Sequence, residues 1–368
     1  MQIIDRLYKD QKPLCDIERF CETDKALFID IETTGLSRET TSLYLIGCGY
    51  YTADGLMTKL FFADSSAEEY DLLYAFSRFM KGYTHLFHFN GLKFDIPYLS
   101  YKARKHGIDG LFDGIVQIDV YKVLAPLRHL LFPESMRQKA IESFLGITRE
   151  DKYNGKELID VYKRYEADPT DIDLEKLITH NREDVVGMHK IMQALVYLDL
   201  KDAPLIYEGC KVNRYRDLAG AECEELLLSY TTGVSFPVSF MAKTESMYIK
   251  ASASTGKLLI RLPIYDTEMK LFYDSYRDYR YIPEEDTAIL KELAAALPKG
   301  SYVKATKENC YTRVSGRFVK QPQNLFTPVV RTSYKDKKKY FRFPDSFNEK
   351  AAEQFGRQLI NVFFTLKK

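Results

Sequence analysis

The chain has 368 residues, 45% of them apolar, with 53 Lys and Arg against 52 Asp and Glu and no tryptophan. That length predicts two domains, each able to bury a core, and no segment approaches the roughly 20 consecutive apolar residues of a membrane helix. The start, Met1 to Asp10, lacks a basic-then-apolar export pattern, and six cysteines without a Cys-x-x-Cys pair predict free thiols in a cytoplasmic protein.

In chain order, Ala26 to Ile31 is an apolar run ending in an acid, and Ser42 to Tyr51 and Met57 to Phe62 are further β-like runs between Gly and Asp turn signals. Three strands in succession predict an antiparallel meander. Ser66 to Met80 carries apolar residues at helical spacing, with Ser66 as the expected cap and Glu69 three residues on. Thr84 to Phe89 reads as the next strand, Phe94 to His106 as a helix, Ile115 to Ile118 as a short strand, and helical patterns fill much of the remainder to Leu200. Beyond Leu200 the pattern changes to short strands (Met247 to Ser252, Lys257 to Leu262, Met269 to Tyr273). A helix over about Glu284 to Leu297, a basic stretch and a last helix over about Ser346 to Phe364 follow. The expected division is 1–200, an α/β domain, and 201–368, a basic α+β domain.

Charge follows the same division. Residues 1 to 199 hold 25 Lys and Arg against 32 Asp and Glu, and the rest hold 28 against 20. An acidic half suits a carboxylate-lined metal site and a basic half suits a polyanion.

Three segments carry candidate chemistry. In Phe28-Ile29-Asp30-Ile31-Glu32-Thr33-Thr34-Gly35, residues two apart on a strand share a face, so Asp30 and Glu32 point together while Ile29 and Ile31 enter the core. Two such close carboxylates repel unless a cation lies between them, although an ordinary strand ending in solvated acids fits the same pattern. In Phe87-His88-Phe89-Asn90-Gly91-Leu92-Lys93-Phe94-Asp95, a strand enters an Asn-Gly turn and Asp95 opens a helix; Asp95 as a plain N-cap is the alternative. In Thr179-His180-Asn181-Arg182-Glu183-Asp184, His180 and Asp184 are four apart on one helical face, as a surface pair would also be, and Arg182 and Glu183 read as solvated helix surface. Asp119 is a fifth acid, best read as a structural hydrogen-bond partner.

Together, in this order and after this meander, the segments resemble the three exonuclease motifs of the DEDD superfamily, and the turn segment is similar to its counterpart in the proofreading domain of family B DNA polymerases. Residues 26 to about 199 also resemble the stand-alone ribonuclease-H-like exonucleases of bacteria, including Ile46-Gly47-Cys48, Gln117-Ile118-Asp119-Val120 and Ala140-Ile141-Glu142-Ser143-Phe144-Leu145-Gly146-Ile147. The element order βββαβαβα fits that fold, a mixed sheet with flanking helices. His180 departs from the pattern, with the spacing of the tyrosine variant and the residue type of the histidine variant.

The resemblance implies a 3'→5' exonuclease with two Mg²⁺ or Mn²⁺ ions, whose metal-binding carboxylates are Asp30, Glu32, Asp95 and Asp184. It implies that His180 orients or deprotonates the attacking water and that Asn90 contacts the terminal nucleotide; Thr33-Thr34-Gly35 reads as a loop whose backbone can approach substrate, and equally as a plain turn. DNA or RNA, as single-stranded 3' ends, is the expected partner, with no membrane. The other function class is a catalytically inactive, nuclease-like module that binds nucleic acid or protein. An endonuclease is disfavoured by the Asn-Gly-x-x-Phe-Asp turn, and a polymerase by the few residues after the third motif.

Between Ser301 and Phe343 eleven Lys or Arg face only Glu308 and Asp336, interleaved with eight aromatic residues. Lys337, Lys338 and Lys339 are the candidate phosphate contacts, and the aromatics are candidate stacking platforms for unpaired bases. The alternative is a basic surface over strands whose aromatics form a core.

Overall fold

A computed structural model describes residues 1–9, 15–132, 134–344 and 346–366. Asp10 and the side chain of Cys15 lie outside the described set, and the other five cysteines are free. The chain forms two compact units, Met1–Arg128 with Phe132–Leu198, and Asp199–Lys368 with His129–Leu131. No helix among the described residues is long and apolar enough to cross a membrane.

The first unit contains strands β1 (Gln2–Lys9), β2 (Ala26–Thr33), β3 (Leu43–Thr52) and β4 (Gly55–Phe62), helix α1 (Glu69–Met80), strand β5 (His85–His88), helix α2 (Asp95–Lys105) and strand β6 (Val116–Asp119). Helices α3 (Val120–Leu124), α4 (Arg128–Leu131, whose last three residues belong to the second unit), α5 (Gln138–Phe144), α6 (Gly155–Ala167) and α7 (Asp171–Ile191) follow along the chain. The sheet order is β1-β4-β3-β2-β5-β6. The meander is antiparallel, and β5 and β6 extend it in parallel from β2. The expected meander and alternation are present, with one addition. Strand β1 pairs along the edge of β4 from Gln2↔Phe62 to Lys9↔Gly55; its charged, half-exposed residues leave no apolar run to read, as suits an edge.

The Ser66 cap does not form. Ser66 opens a single 3-10 turn, its backbone and hydroxyl both donate to Glu166, and α1 starts at Glu69. Glu69 instead turns inward, accepting from the Leu43 backbone at 2.8 Å and pairing with buried Lys102 at 2.9 Å.

The two faces of the sheet differ. On one, Leu27, Ile29, Ile31, Ile46 and Cys48 pack against Leu72, Leu73 and Phe76 of α1 and Leu99 of α2. On the other lies α7, made possible by Gly47 and Gly49 on β3. A Cβ on Gly47 would stand 1.8 Å from Asn181 Oδ1, and one on Gly49 would stand 2.7 Å from Val185 Cγ1. These glycines let the helix backbone approach the strands carrying the acids.

The second unit holds β7 (Leu205–Arg216), β8 (Glu222–Thr232), β9 (Phe240–Thr244), β10 (Met247–Ala251), β11 (Lys257–Phe272), β12 (Tyr279–Ile282) and β13 (Thr287–Leu290). Helix α8 (Lys291–Ala294), strands β14 (Val303–Lys304), β15 (Tyr311–Gln321) and β16 (Lys339–Arg342), and helix α9 (Glu349–Thr365) complete it. Its main sheet runs β16-β15-β11-β10-β9, with β8 also on β11 and β7 on β8. The two strands expected over 257–262 and 269–273 are parts of the single strand β11. The helix expected over 284–297 is replaced by β13 and one turn of α8. Ala288 is buried in a cluster with Tyr279 and Tyr281, and β13 pairs with β12, so tertiary pairing overrides local helix preference.

Half of the aromatics of the basic stretch form core, while Tyr334 is exposed. Tyr311, Phe318, Tyr340 and Phe341 are buried, and Phe326 stacks on Phe341 at 4.2 Å between ring centres.

Candidate active site

Strand β2 supplies Asp30 and Glu32, whose backbones face Gly47 and Leu45 of β3, and its pairing shifts register between Glu32 and Thr33. Such a bulge re-aims the strand end. Asp95 opens α2, where the Ile31 backbone donates to it. Helix α7 contributes His180 and Asp184 one turn apart. The structure therefore brings Asp30, Glu32, Asp95, His180 and Asp184 into one site. The donor atoms of Glu32, His180 and Asp184 all lie within 4.8 Å of one another.

The charges in this site are mutually unfavourable. Burial, followed by the neighbouring charge of Asp184, pushes the Asp30 and Glu32 carboxyls well above the usual carboxylate range. Burial raises Asp95 to about 6 against the N–H groups it accepts, and Asp119 and Asp184 add to the rise.

Four residues that sequence reasoning passed over build the rest. Asn181 Nδ2 donates to Asp30 Oδ2 at 2.8 Å, fixing that carboxylate from the helix side, while its own Oδ1 is buried without a protein partner. Arg149 places Nη1 2.6 Å from Asp184 Oδ1 and is anchored by its Nε and Nη2 on buried Glu142. Asp151 Oδ2 lies 2.8 Å from His180 Nδ1 and 3.0 Å from Lys139 Nζ, and its Oδ1 accepts from the Tyr153 backbone. Burial opposes the charge of Asp151, but Tyr153, Lys139 and His180 hold its carboxyl below the usual range.

Arg182 and Glu183, expected as solvated surface, are otherwise. Arg182 is buried, and Glu183 accepts the backbone N–H groups of Glu150 and Asp151 at 2.8 and 2.9 Å, clamping the loop that carries Arg149 and Asp151. Asn181 lay inside a motif already singled out. Arg149 and Asp151 lie in an irregular charged loop, where no periodicity marks them. Glu142 lay within a quoted stretch, but nothing local shows that its partner is seven residues on.

Of the expected substrate contacts, Thr33 is buried at the strand end and donates to the Gly35 carbonyl at 2.8 Å. Asn90 is exposed in a left-handed turn with φ 59, its backbone N–H bonded to Asp119 at 2.9 Å; that is the structural role expected of Asp119. Lys337 and Lys338 are exposed and Lys339 is half-buried, all on the second unit.

Residues 27–196 match the model of the RNase_H_2 family, of the RNase_H superfamily, and the first unit has the ribonuclease-H-like fold. No curated protein matches the sequence. Among solved structures, the chain is similar to the family B DNA polymerase from the hyperthermophilic archaeon Pyrobaculum calidifontis, at 14% identity and a TM-score of 0.37, over 69% of this chain and 35% of that one. It is also similar to exonuclease I, at 11% identity and a TM-score of 0.29, over 79% of this chain and 64% of the other. E. coli exonuclease I in complex with a dT13 oligonucleotide shows 12% identity and a TM-score of 0.29, over 56% of this chain and 54% of that one. The chain thus spans less than two thirds of each of these structures' length.

Proposed function

We propose that the protein is a metal-dependent 3'→5' exonuclease that hydrolyses phosphodiester bonds of DNA or RNA at single-stranded 3' ends. The observation that carries this reading is the convergence of Asp30, Glu32, Asp95 and Asp184 from β2, α2 and α7 on one buried site. There, burial and mutual repulsion disfavour the ionised forms of Asp30, Glu32 and Asp95. Carboxylate oxygens so crowded fit a divalent cation, and hard oxygen donors suit Mg²⁺ or Mn²⁺, in the two-ion form that the motifs imply. Asp30, Glu32, Asp95 and Asp184 would hold the ions, which supply charge neutralisation at the phosphate and a more acidic attacking water.

The chain's own residues do the positioning. Asn181 fixes Asp30, Arg149 fixes Asp184 from the side of Oδ1, and Asp151 fixes His180 with Nε2 toward Glu32 and Asp184. In the reaction, the oxygen of water bonds to phosphorus and the bond from phosphorus to the 3' oxygen of the penultimate nucleotide breaks. That oxygen takes a proton, and a nucleoside 5'-monophosphate leaves. Asn90, exposed beside the site's turn, contacts the terminal nucleotide, and the backbone near Thr33 lines its approach. On the second unit Lys337, Lys338 and Lys339 contact phosphates of the strand.

The test is a time course on 5'-labelled single- and double-stranded DNA and RNA with Mg²⁺, Mn²⁺ or EDTA. A ladder shortening from the 3' end, silenced by EDTA, is the expected result. Binding without cleavage would identify an inactive module instead, and cutting of circular strands would identify an endonuclease.

A further inference from the structure

We infer that His180 is itself a ligand of the divalent cation held by Glu32 and Asp184, and that Asp151 is the positioning residue that turns its lone pair toward that ion. The inference takes the existence of the cation from the proposed function and assigns its coordination and preference.

Nitrogen Nδ1 of His180 lies 2.8 Å from Asp151 Oδ2. An ionised carboxylate has no proton to give, so Nδ1 carries a hydrogen and Nε2 is the nitrogen turned toward Glu32 and Asp184. That atom lies 3.6 Å from Glu32 Oε1 and 3.4 Å from Asp184 Oδ2. Both separations are long for hydrogen bonds. They suit donors sharing one ion: with bonds of about 2.1 Å, two ligands at about 90° to 120° lie roughly 3.0 to 3.6 Å apart. A carboxylate behind a metal-bound imidazole is the usual device for fixing its tautomer and orientation.

The neighbours reinforce the assignment. Lys139 and the Tyr153 backbone hold Asp151 in place, and Arg149 takes up Oδ1 of Asp184 and leaves Oδ2 toward His180. Among the described residues, Glu32, His180 and Asp184 form the one group of three such donors close enough to share an ion. The buried His88 and His189 are engaged elsewhere, through the Gly91 backbone and the Tyr51 hydroxyl. A nitrogen ligand tilts an otherwise all-oxygen site away from Mg²⁺ and toward Mn²⁺ and its first-row neighbours.

The test uses the metal-stripped full chain, titrated with Mn²⁺ without nucleic acid and read by electron paramagnetic resonance and electron spin-echo modulation. The expected spectrum shows the ¹⁴N coupling of a directly bonded imidazole. His180→Gln should remove it, weaken Mn²⁺ binding by more than about tenfold, and lower the ratio of Mn²⁺ to Mg²⁺ affinity. Asp151→Asn should keep the coupling while weakening Mn²⁺ by about 10- to 100-fold. Wild-type protein that binds Mn²⁺ without imidazole coupling, binds no Mn²⁺, or keeps the coupling in His180→Gln overturns the assignment. The wild-type spectrum alone can do so even where the variant fails to fold. Coupling present with no strand cleavage would sink the nuclease reading and leave His180 on the ion.

Discussion

The two faces of the first unit's sheet are built from the same strands by opposite rules. Toward α1 and α2, strand β2 presents Leu27, Ile29 and Ile31 to a mainly apolar layer, where packing volume dominates. Toward α7 the same strand presents Asp30 and Glu32, and β3 presents glycines where side chains would otherwise stand. The first face supplies stability and accepts hydrophobic substitutes of similar size. The second spends stability on close approach and crowded charge, as functional sites do.

The sharpest way to test that contrast is charge removal on the α7 face. Asp30→Asn or Asp184→Asn should each abolish nuclease activity, as should EDTA, in the labelled-strand assay; full activity in either variant would remove these residues from the site. Next in size is the anchor beneath it. Arg149→Ala leaves Glu142 buried and unpaired, so unfolding in urea should show a loss of about 3 to 5 kcal/mol, as for other broken buried pairs. A loss within error would mean that solvent reaches Glu142 freely.

Smaller again is the packing test. Gly47→Ala puts a methyl against Asn181 and should cost about 1 to 3 kcal/mol as overpacking does. Nuclease activity should fall with it, because Asn181 and its bond to Asp30 must shift. Ile29→Val on the opposite face should cost about 0.5 to 1.5 kcal/mol and leave activity intact. Equal activity losses in the two variants would erase the distinction between the faces.

The smallest effect is one of pH. An acid whose folded pKa is raised contributes stability that is present below its unfolded value and lost as pH rises through the folded one. Asp95, raised from 3.8 to about 6, thus destabilises the ion-free protein progressively across that window. In EDTA, the Tm of Asp95→Asn minus that of wild type should be near zero at the acid end and positive at neutral pH. A difference flat with pH would show that Asp95 is not crowded.

The second unit teaches a related lesson. Its basic residues were legible, but the use of its aromatics was not: a strand of alternating Lys or Arg and Phe or Tyr looks alike whether the rings face nucleic acid or core. Partners distant in sequence drew some of them into the core, as when Phe326 and Phe355 closed on Phe341. Likewise the residues over 284–297 read as a helix until β12 offered Thr287–Leu290 a pairing.

The sequence by itself determined the meander, the shared face of Asp30 and Glu32, and the helical neighbours His180 and Asp184. Each depends on a period of two or 3.6 residues within one element. Tertiary structure alone decided that α7 docks on Gly47 and Gly49, that Arg149 reaches Asp184, that Glu183 clamps a loop, and that Asp151 orients His180. Those are meetings of side chains from separate elements and an irregular loop. Local periodicity carries no record of them, because the distances that make them are set by packing rather than by spacing along the chain.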